Sequence, residues 1–146
     1  MDSTKLALGL TKLSLDIIEP LEQVYKIVLR KPFLTVNIER EPKRAGNNKA
    51  SIEFTIANES STDLEAKRVW FLTSYNRAIY SEAADAKTPL EMPVNARATF
   101  SVRLDELKAS LNSQSGETVN KVIVADQNGG LHSARLSPAL QEELAR

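Results

Sequence analysis

The stretch KVIVADQNGGLHSARL, Lys121–Leu136, decides how this chain is read. Two short runs, VNKVIVAD (119–126) and LHSARL (131–136), flank Gln127-Asn128-Gly129-Gly130. Asn-Gly supplies the positive-φ conformations that a type I′ turn requires, so the stretch reads as a β-hairpin. A competing reading makes Asp126 and Asn128 oxygen ligands for Ca²⁺. An EF-hand loop needs a further Asp or Asn before the glycine and a Glu at its twelfth position, and neither is present here. A turn is expected.

Working outward, the same period of two recurs. Leu34, Val36 and Ile38 alternate with Thr35 and Asn37, and after EREPKRAGNNK (39–49) come Ile52, Phe54 and Ile56. These predict a second antiparallel hairpin. KRVWFLTSY (67–75) reads as a more fully buried third strand and RAIYSE (77–82) as a short fourth. Leu90 and Met92 mark a fifth, ended by Pro93 and the turn PVNA. Ala98, Phe100, Val102 and Leu104 form a sixth, with Thr99, Ser101 and Arg103 turned outward. In LDELKASLN (104–112), Leu104, Leu107 and Leu111 fall at helical spacing, which predicts a short crossover helix. SPALQEELAR (137–146) opens with Ser137 as an N-cap and Pro138 at the first helical position, a favourable helix start. Strands of this length with a turn signal every ten or so residues predict an antiparallel β-sandwich of about seven strands.

The strand series resembles the immunoglobulin and fibronectin type III class over residues 32–136, with Trp70 at the place of a third-strand core Trp. FTIANESSTDLEAKRVWFL (54–72), TFSVRL (99–104) and KVIVADQNGG (121–130) are similar to small uncharacterised bacterial sandwich domains. The matching positions are Phe54, Ile56, Asn58, Val122, Val124, Asp126 and Gly129. The chain departs from antibody-type domains in lacking a cysteine pair and a tyrosine corner. The resemblance implies an immunoglobulin-like fold and a binding or scaffolding role, and it identifies no ligand.

Ahead of the strands stands LALGLTKLSLDII, Leu6–Ile18. Leu6, Leu10, Leu13, Ile17, Leu21, Val24 and Val28 make one helical stripe. Asp2 or Ser3 offers an N-cap, and Pro20 predicts a kink or break. Residues 1–31 are therefore expected to be an amphipathic helical arm, 32–136 the sandwich domain and 137–146 a helical tail. Leu8, Leu15, Ile18 and Leu29 lie off the stripe, so the arm is apolar over more than one face and needs covering on more than one side. The cover could be another copy or another protein, the chain's own sandwich, or a membrane surface. Thr11, Ser14, Asp16, Glu19 and Glu22 make the polar face neutral or acidic, whereas membrane-surface helices favour Lys and Arg. Association through Leu6, Leu10, Leu13, Ile17 and Leu21 is the leading expectation, giving a homo-oligomer or a complex with another protein. Peripheral membrane attachment by the arm and the basic stretch 26–49 is the alternative.

Lys+Arg and Asp+Glu number 19 each, a balance that argues against a generic nucleic-acid binder. The charge is segregated, however. Residues 26–49 carry seven basic groups against two acidic, and residues 1–25 are net −2. Arg40, Lys43, Arg44 and Lys49 cluster in the first hairpin loop and are candidates for contact with an anionic partner. No aromatic is interleaved with them, which leaves nucleic acid an unfavoured partner. The apolar start lacks a basic leader, contains Asp16 and Glu19, and is too polar for a membrane span, so a cytoplasmic location is expected.

Candidates for chemistry are few. There is no Cys, no Gly-x-Ser-x-Gly and no phosphate-cradling loop, and His132 is the only histidine. His132 reads as solvent-facing or hydrogen-bonded, and ESSTD (59–63) as ordinary turn chemistry. Asn58-Glu59-Ser60 fits a glycosylation sequon by chance. No enzyme activity, metal or cofactor is expected.

Overall fold

The computed structural model describes residues 33–44 and 49–145. The predicted N-terminal arm, 1–31, with Leu6, Leu10, Leu13, Ile17 and Leu21, lies outside the described residues. Two antiparallel sheets make up the fold. In the first, β1 (Leu34–Ile38) and a short β2 (Lys43–Arg44) lie end to end along one edge of β3 (Ala50–Asn58), and β7 (Arg97–Arg103) pairs with the other. In the second, β8 (Val119–Asp126) pairs with one edge of β4 (Leu64–Thr73). Short β5 (Ala78–Ile79) and β6 (Leu90–Met92) share its other edge, and β9 (Leu131–Arg135) lies outside β8.

Period-two alternation produces these strands, because it gives each one a wet and a dry face. On β3, Ile52, Phe54 and Ile56 are buried while Glu53 and Thr55 are half-buried. The register sets Phe54 opposite Phe100, and their rings stack at 5.1 Å. Phe54 also meets Phe71 of the second sheet edge-on at 6.0 Å, so the inner faces of both sheets meet in one core. Val69, Phe71, Val102, Val122 and Val124 complete its centre, all essentially free of solvent. Each large side chain buried there contributes about 1.5–3 kcal/mol.

Among the described residues, three α-helices cross between strands or close the fold. α1 (Glu82–Lys87) was not legible as a helix from its apolar spacing, since Ala84 is the only residue it buries. Its signal is instead the Ser81 hydroxyl, which accepts the Ala84 amide as an N-cap. α2 (Leu104–Ala109) is the predicted crossover helix. Leu104, expected to end the sixth strand, begins the helix instead and is buried with Leu107. α3 (Pro138–Ala145) starts where Ser137 caps it, its hydroxyl oxygen accepting a hydrogen bond from the Leu140 amide. It is less a tail than part of the core, with Leu140 fully buried and Leu144 nearly so.

Two further sequence expectations are corrected. β4 was expected to be more fully buried, but it alternates, and a bulge between Ala66 and Arg68 sets the phase of that alternation against β8. That shift turns Val69 and Phe71 inward and leaves Trp70 half-buried on the opposite face, so Trp70 is not a core residue. The Lys121–Leu136 hairpin forms as expected, with a different turn. Only Gly129 has positive φ, at 83°, and Asn128 does not. The Gly129 amide reaches the Asp126 carbonyl at 3.1 Å and Asp126 N–H reaches the Gly130 carbonyl at 2.9 Å. This is the pattern of a type I turn followed by a left-handed glycine, rather than type I′.

Candidate interaction surface

The outer faces of the two sheets differ in kind. The first carries Thr35, Asn37, Glu53, Thr55, Thr99 and Ser101, the polar dressing of a solvated face, with the Thr55 and Thr99 hydroxyls 3.2 Å apart. The second carries the rows that register puts side by side: Arg68-Trp70-Leu72 on β4, Lys121-Ile123-Ala125 on β8 and Leu131-Ser133-Arg135 on β9. Tyr80, just past β5, extends the face beside Trp70, with ring centroids 6.5 Å apart, and the Arg68 guanidinium lies 4.3 Å over the Tyr80 ring. Leu131 is 62% exposed and Tyr80 42%. Ile123 is buried yet outside the central core, covered by its neighbours on this outer face. The centre is thus aromatic and aliphatic, and its charged members Arg68, Lys121 and Arg135 are all basic. Glu65 and Glu91 face each other across strands beyond the bulge, at one end. Trp, Tyr and Arg are the residue types that dominate protein–protein hot spots.

Sequence reasoning missed this face, because Trp70 was assigned to the core. The alternation of Leu131, Ser133 and Arg135 against Lys121, Ile123 and Ala125 was the available signal. It gains meaning only once β4 is known to lie alongside, with its phase set by the bulge.

The basic residues expected to meet an anion are placed as follows. Lys43 lies 3.5 Å from Glu53, and Arg44 lies 3.2 Å from Glu143 of α3. Lys49 acts electrostatically on Asp105, and Arg40 offers its carbonyl to the Ser137 hydroxyl at 2.5 Å. Acids from β3, α2 and α3 thus stand beside three of these four side chains. Exposed pairs of this kind are worth roughly 0–1 kcal/mol each.

Three buried polar clusters are structural in their geometry. At the hairpin, Asp126 Oδ1 accepts the Asn128 and Gly130 amides at 2.8 and 2.9 Å, while Oδ2 lies 2.8 Å from His132 Nε2. Burial pushes the Asp126 carboxyl up, but these hydrogen bonds together hold it below its usual range. Glu117, 1% exposed, takes two bonds from the Arg77 guanidinium at 2.8 and 2.7 Å and one from the Asn112 amide at 2.9 Å. Arg77, helped by Thr73 and the Asn112 amide, holds the Glu117 carboxyl at about 2. Asn58, fully buried, donates to the Thr62 and Met92 carbonyls and accepts the Ser60 amide and hydroxyl. A side chain so enclosed is no glycan acceptor, which disposes of the sequon. Among the described residues, no group of three His, Asp or Glu side chains is gathered to hold a metal ion. No described helix is long and apolar enough to cross a membrane.

No protein-family model, curated protein or solved structure matches this chain. The outer face of the second sheet brings exposed apolar side chains together with the basic groups of Arg68, Lys121 and Arg135.

Proposed function

We propose that this chain is a non-enzymatic protein–protein interaction module that self-associates or binds a partner through its apolar N-terminal segment, carried on an immunoglobulin-like sandwich. What supports the immunoglobulin-like reading is strand order. β1, β3 and β7 fall in one sheet and β4, β8 and β9 in the other, as the A, B, E and C, F, G strands of that class do. The observation that carries the interaction reading is the asymmetry between the sheets. A solvated outer face has no need of Trp70, Leu72, Tyr80 and Leu131, and the corresponding face of the first sheet carries Thr, Ser, Asn, Glu and Arg instead. The N-terminal stripe of Leu6, Leu10, Leu13, Ile17 and Leu21 supplies the second apolar surface.

Light scattering of the full chain and of the Leu10→Asp, Leu13→Asp variant tests this. The expected result is an associated wild type and a monomeric variant with an unchanged circular dichroism spectrum. A monomeric wild type whose variant unfolds would assign the segment to the protein's own core and end the interaction reading. Binding of the wild type to anionic vesicles, released by salt and lost in the variant, would replace it with peripheral membrane attachment.

A further inference from the structure

We propose that the outer face of the β9-β8-β4-β5 sheet is a twofold interface, on which the same face of a second copy of this chain packs. The inference rests on the self-association reading and adds to it a contact made wholly by the sheet. Register carries it in two ways. First, the apolar side chains run diagonally across the face. Leu131 stands opposite Ala125 and Trp70 opposite Ile123, while Tyr80 follows Ile79, the β5 partner of Phe71. The line from Leu131 through Ile123 and Trp70 to Tyr80 thus joins β9 to β5. Second, like charges are paired at opposite corners. Lys121 and Arg135 are direct cross-strand partners on one side of the diagonal, and Glu65 and Glu91 are direct partners on the other. Like charges set directly opposite each other destabilise a sheet, so each pair is unfavourable in a single copy. Among the described residues these four side chains form no ion pair. In the first sheet, by contrast, Lys43, Arg44, Arg97 and Arg103 each have an acid of the same chain within 4.0 Å.

Rotation about a twofold axis along the apolar diagonal exchanges the two corners. The Lys121–Arg135 pair of each copy then meets the Glu65–Glu91 pair of the other, and two repulsions become two attractions. The acid corner is hollow, with Asp63, Glu65, Glu91 and Gln127 lining a cavity of about 310 Å³ that a lysine or arginine side chain can enter. Along the axis the exposed Leu131 and Tyr80 are taken out of water. Arg68 lies between the diagonal and Glu65, held 4.3 Å over the Tyr80 ring, and is not turned onto its own copy. A nucleic acid or an anionic membrane suits one corner only: its phosphates gain from Lys121 and Arg135 and are repelled by Glu65 and Glu91. The same face on another copy satisfies both corners at once.

Such a contact is isologous and closes at two copies. Charge exchange in the full chain, followed by analytical ultracentrifugation, tests it. Lys121→Glu with Arg135→Glu makes both corners acidic, and Glu65→Lys with Glu91→Lys makes both basic. Each double variant is expected to self-associate at least about tenfold more weakly than the wild type, and the four changes combined to restore association to within about threefold. An equal mixture of the two double variants should form mixed dimers, since every corner then meets its opposite. Leu131→Asp, at an open position on the diagonal, serves as a second probe should the charge changes perturb folding, and it too should weaken association at least about tenfold. Folded face variants that associate as the wild type does overturn the inference while leaving association through the N-terminal segment intact. A monomeric wild type overturns both. Association lost in the double variants and regained neither in the fourfold variant nor in the mixture assigns the face to another occupant, the chain's own N-terminal segment included, and this proposal falls.

Discussion

At the residue scale, buried polar side chains such as Asp126, Glu117 and Asn58 are tied down by their neighbours. Glu117 is the clearest, held by Arg77 on one side and the Asn112 amide on the other. A carboxyl depressed in the folded state stabilises the fold above its unfolded value and loses that contribution as pH falls through the folded one. For Glu117 the window runs from the usual 4.5 down to about 2. Glu117→Gln should therefore be less stable than wild type at neutral pH, with the gap between them closing as pH falls across that window. Urea melts at pH 7 and pH 2.5 measure it, and a constant gap would mean that the charge of Glu117 is immaterial. The hairpin makes a second case. A Cβ on Gly130 would come within 2.6 Å of Asp126 Oδ2, the oxygen that meets His132. Gly130→Ala is expected to displace that carboxylate and cost about 1–2 kcal/mol in chemical denaturation, with a changed His132 ring signal in NMR.

At the element scale, α3 shows how local signals and packing divide the work. Ser137 and Pro138 announce the start of the helix in the sequence, and the structure honours both. What they do not announce is that Leu140 and Leu144 complete the core. Ser137→Ala should cost about 1 kcal/mol, the usual value of a lost N-cap. Leu140→Ala should cost about 2–5 kcal/mol, because a fully buried leucine leaves a cavity. Thermal denaturation of the two variants separates the contributions, and equal small losses would deny α3 its place in the core. β4 teaches the converse. Its run KRVWFLT has no polar residue between Arg68 and Thr73 to reveal which face is which. The bulge at Ala66/Arg68 sets the phase, and a bulge arises from pairing with β8, more than fifty residues away in the sequence. Trp70 was misplaced for that reason. α1 escaped for another: a helix burying one alanine has no stripe to read.

At the scale of the whole molecule, the two sheets have one shared inner face and two unlike outer ones. A site of high exposure on the apolar outer face should be dispensable for folding and costly for assembly. Leu131→Asp is expected to leave stability within about 0.5 kcal/mol of wild type, since nothing buried is disturbed. The same change should weaken self-association, so melting and scattering on one sample decide the point. A variant that unfolds would show instead that Leu131 is structural. Raising salt should weaken assembly further, because the solvent-accessible charges of Arg68, Lys121 and Arg135 are screened.

Neighbouring residues chose the local vocabulary of this chain. Period-two alternation placed the first hairpin and the strand of Phe100 and Val102, and Asn128-Gly129 placed the last turn. Ser137-Pro138 placed the final helix. Each is a choice made by residues within a few positions of one another, where propensity and hydrogen bonding act directly. Tertiary structure decided which face of β4 is dry and that α3 belongs to the core. It also determined that Glu117 is a buried partner of Arg77, forty positions away. Those outcomes depend on what lies across the sheet or across the core, and burial is a property of the assembled neighbours, not of the residue alone. The outer face of Trp70, Tyr80, Ile123 and Leu131 belongs to this second group: register makes one surface of four strands whose residues the chain keeps far apart.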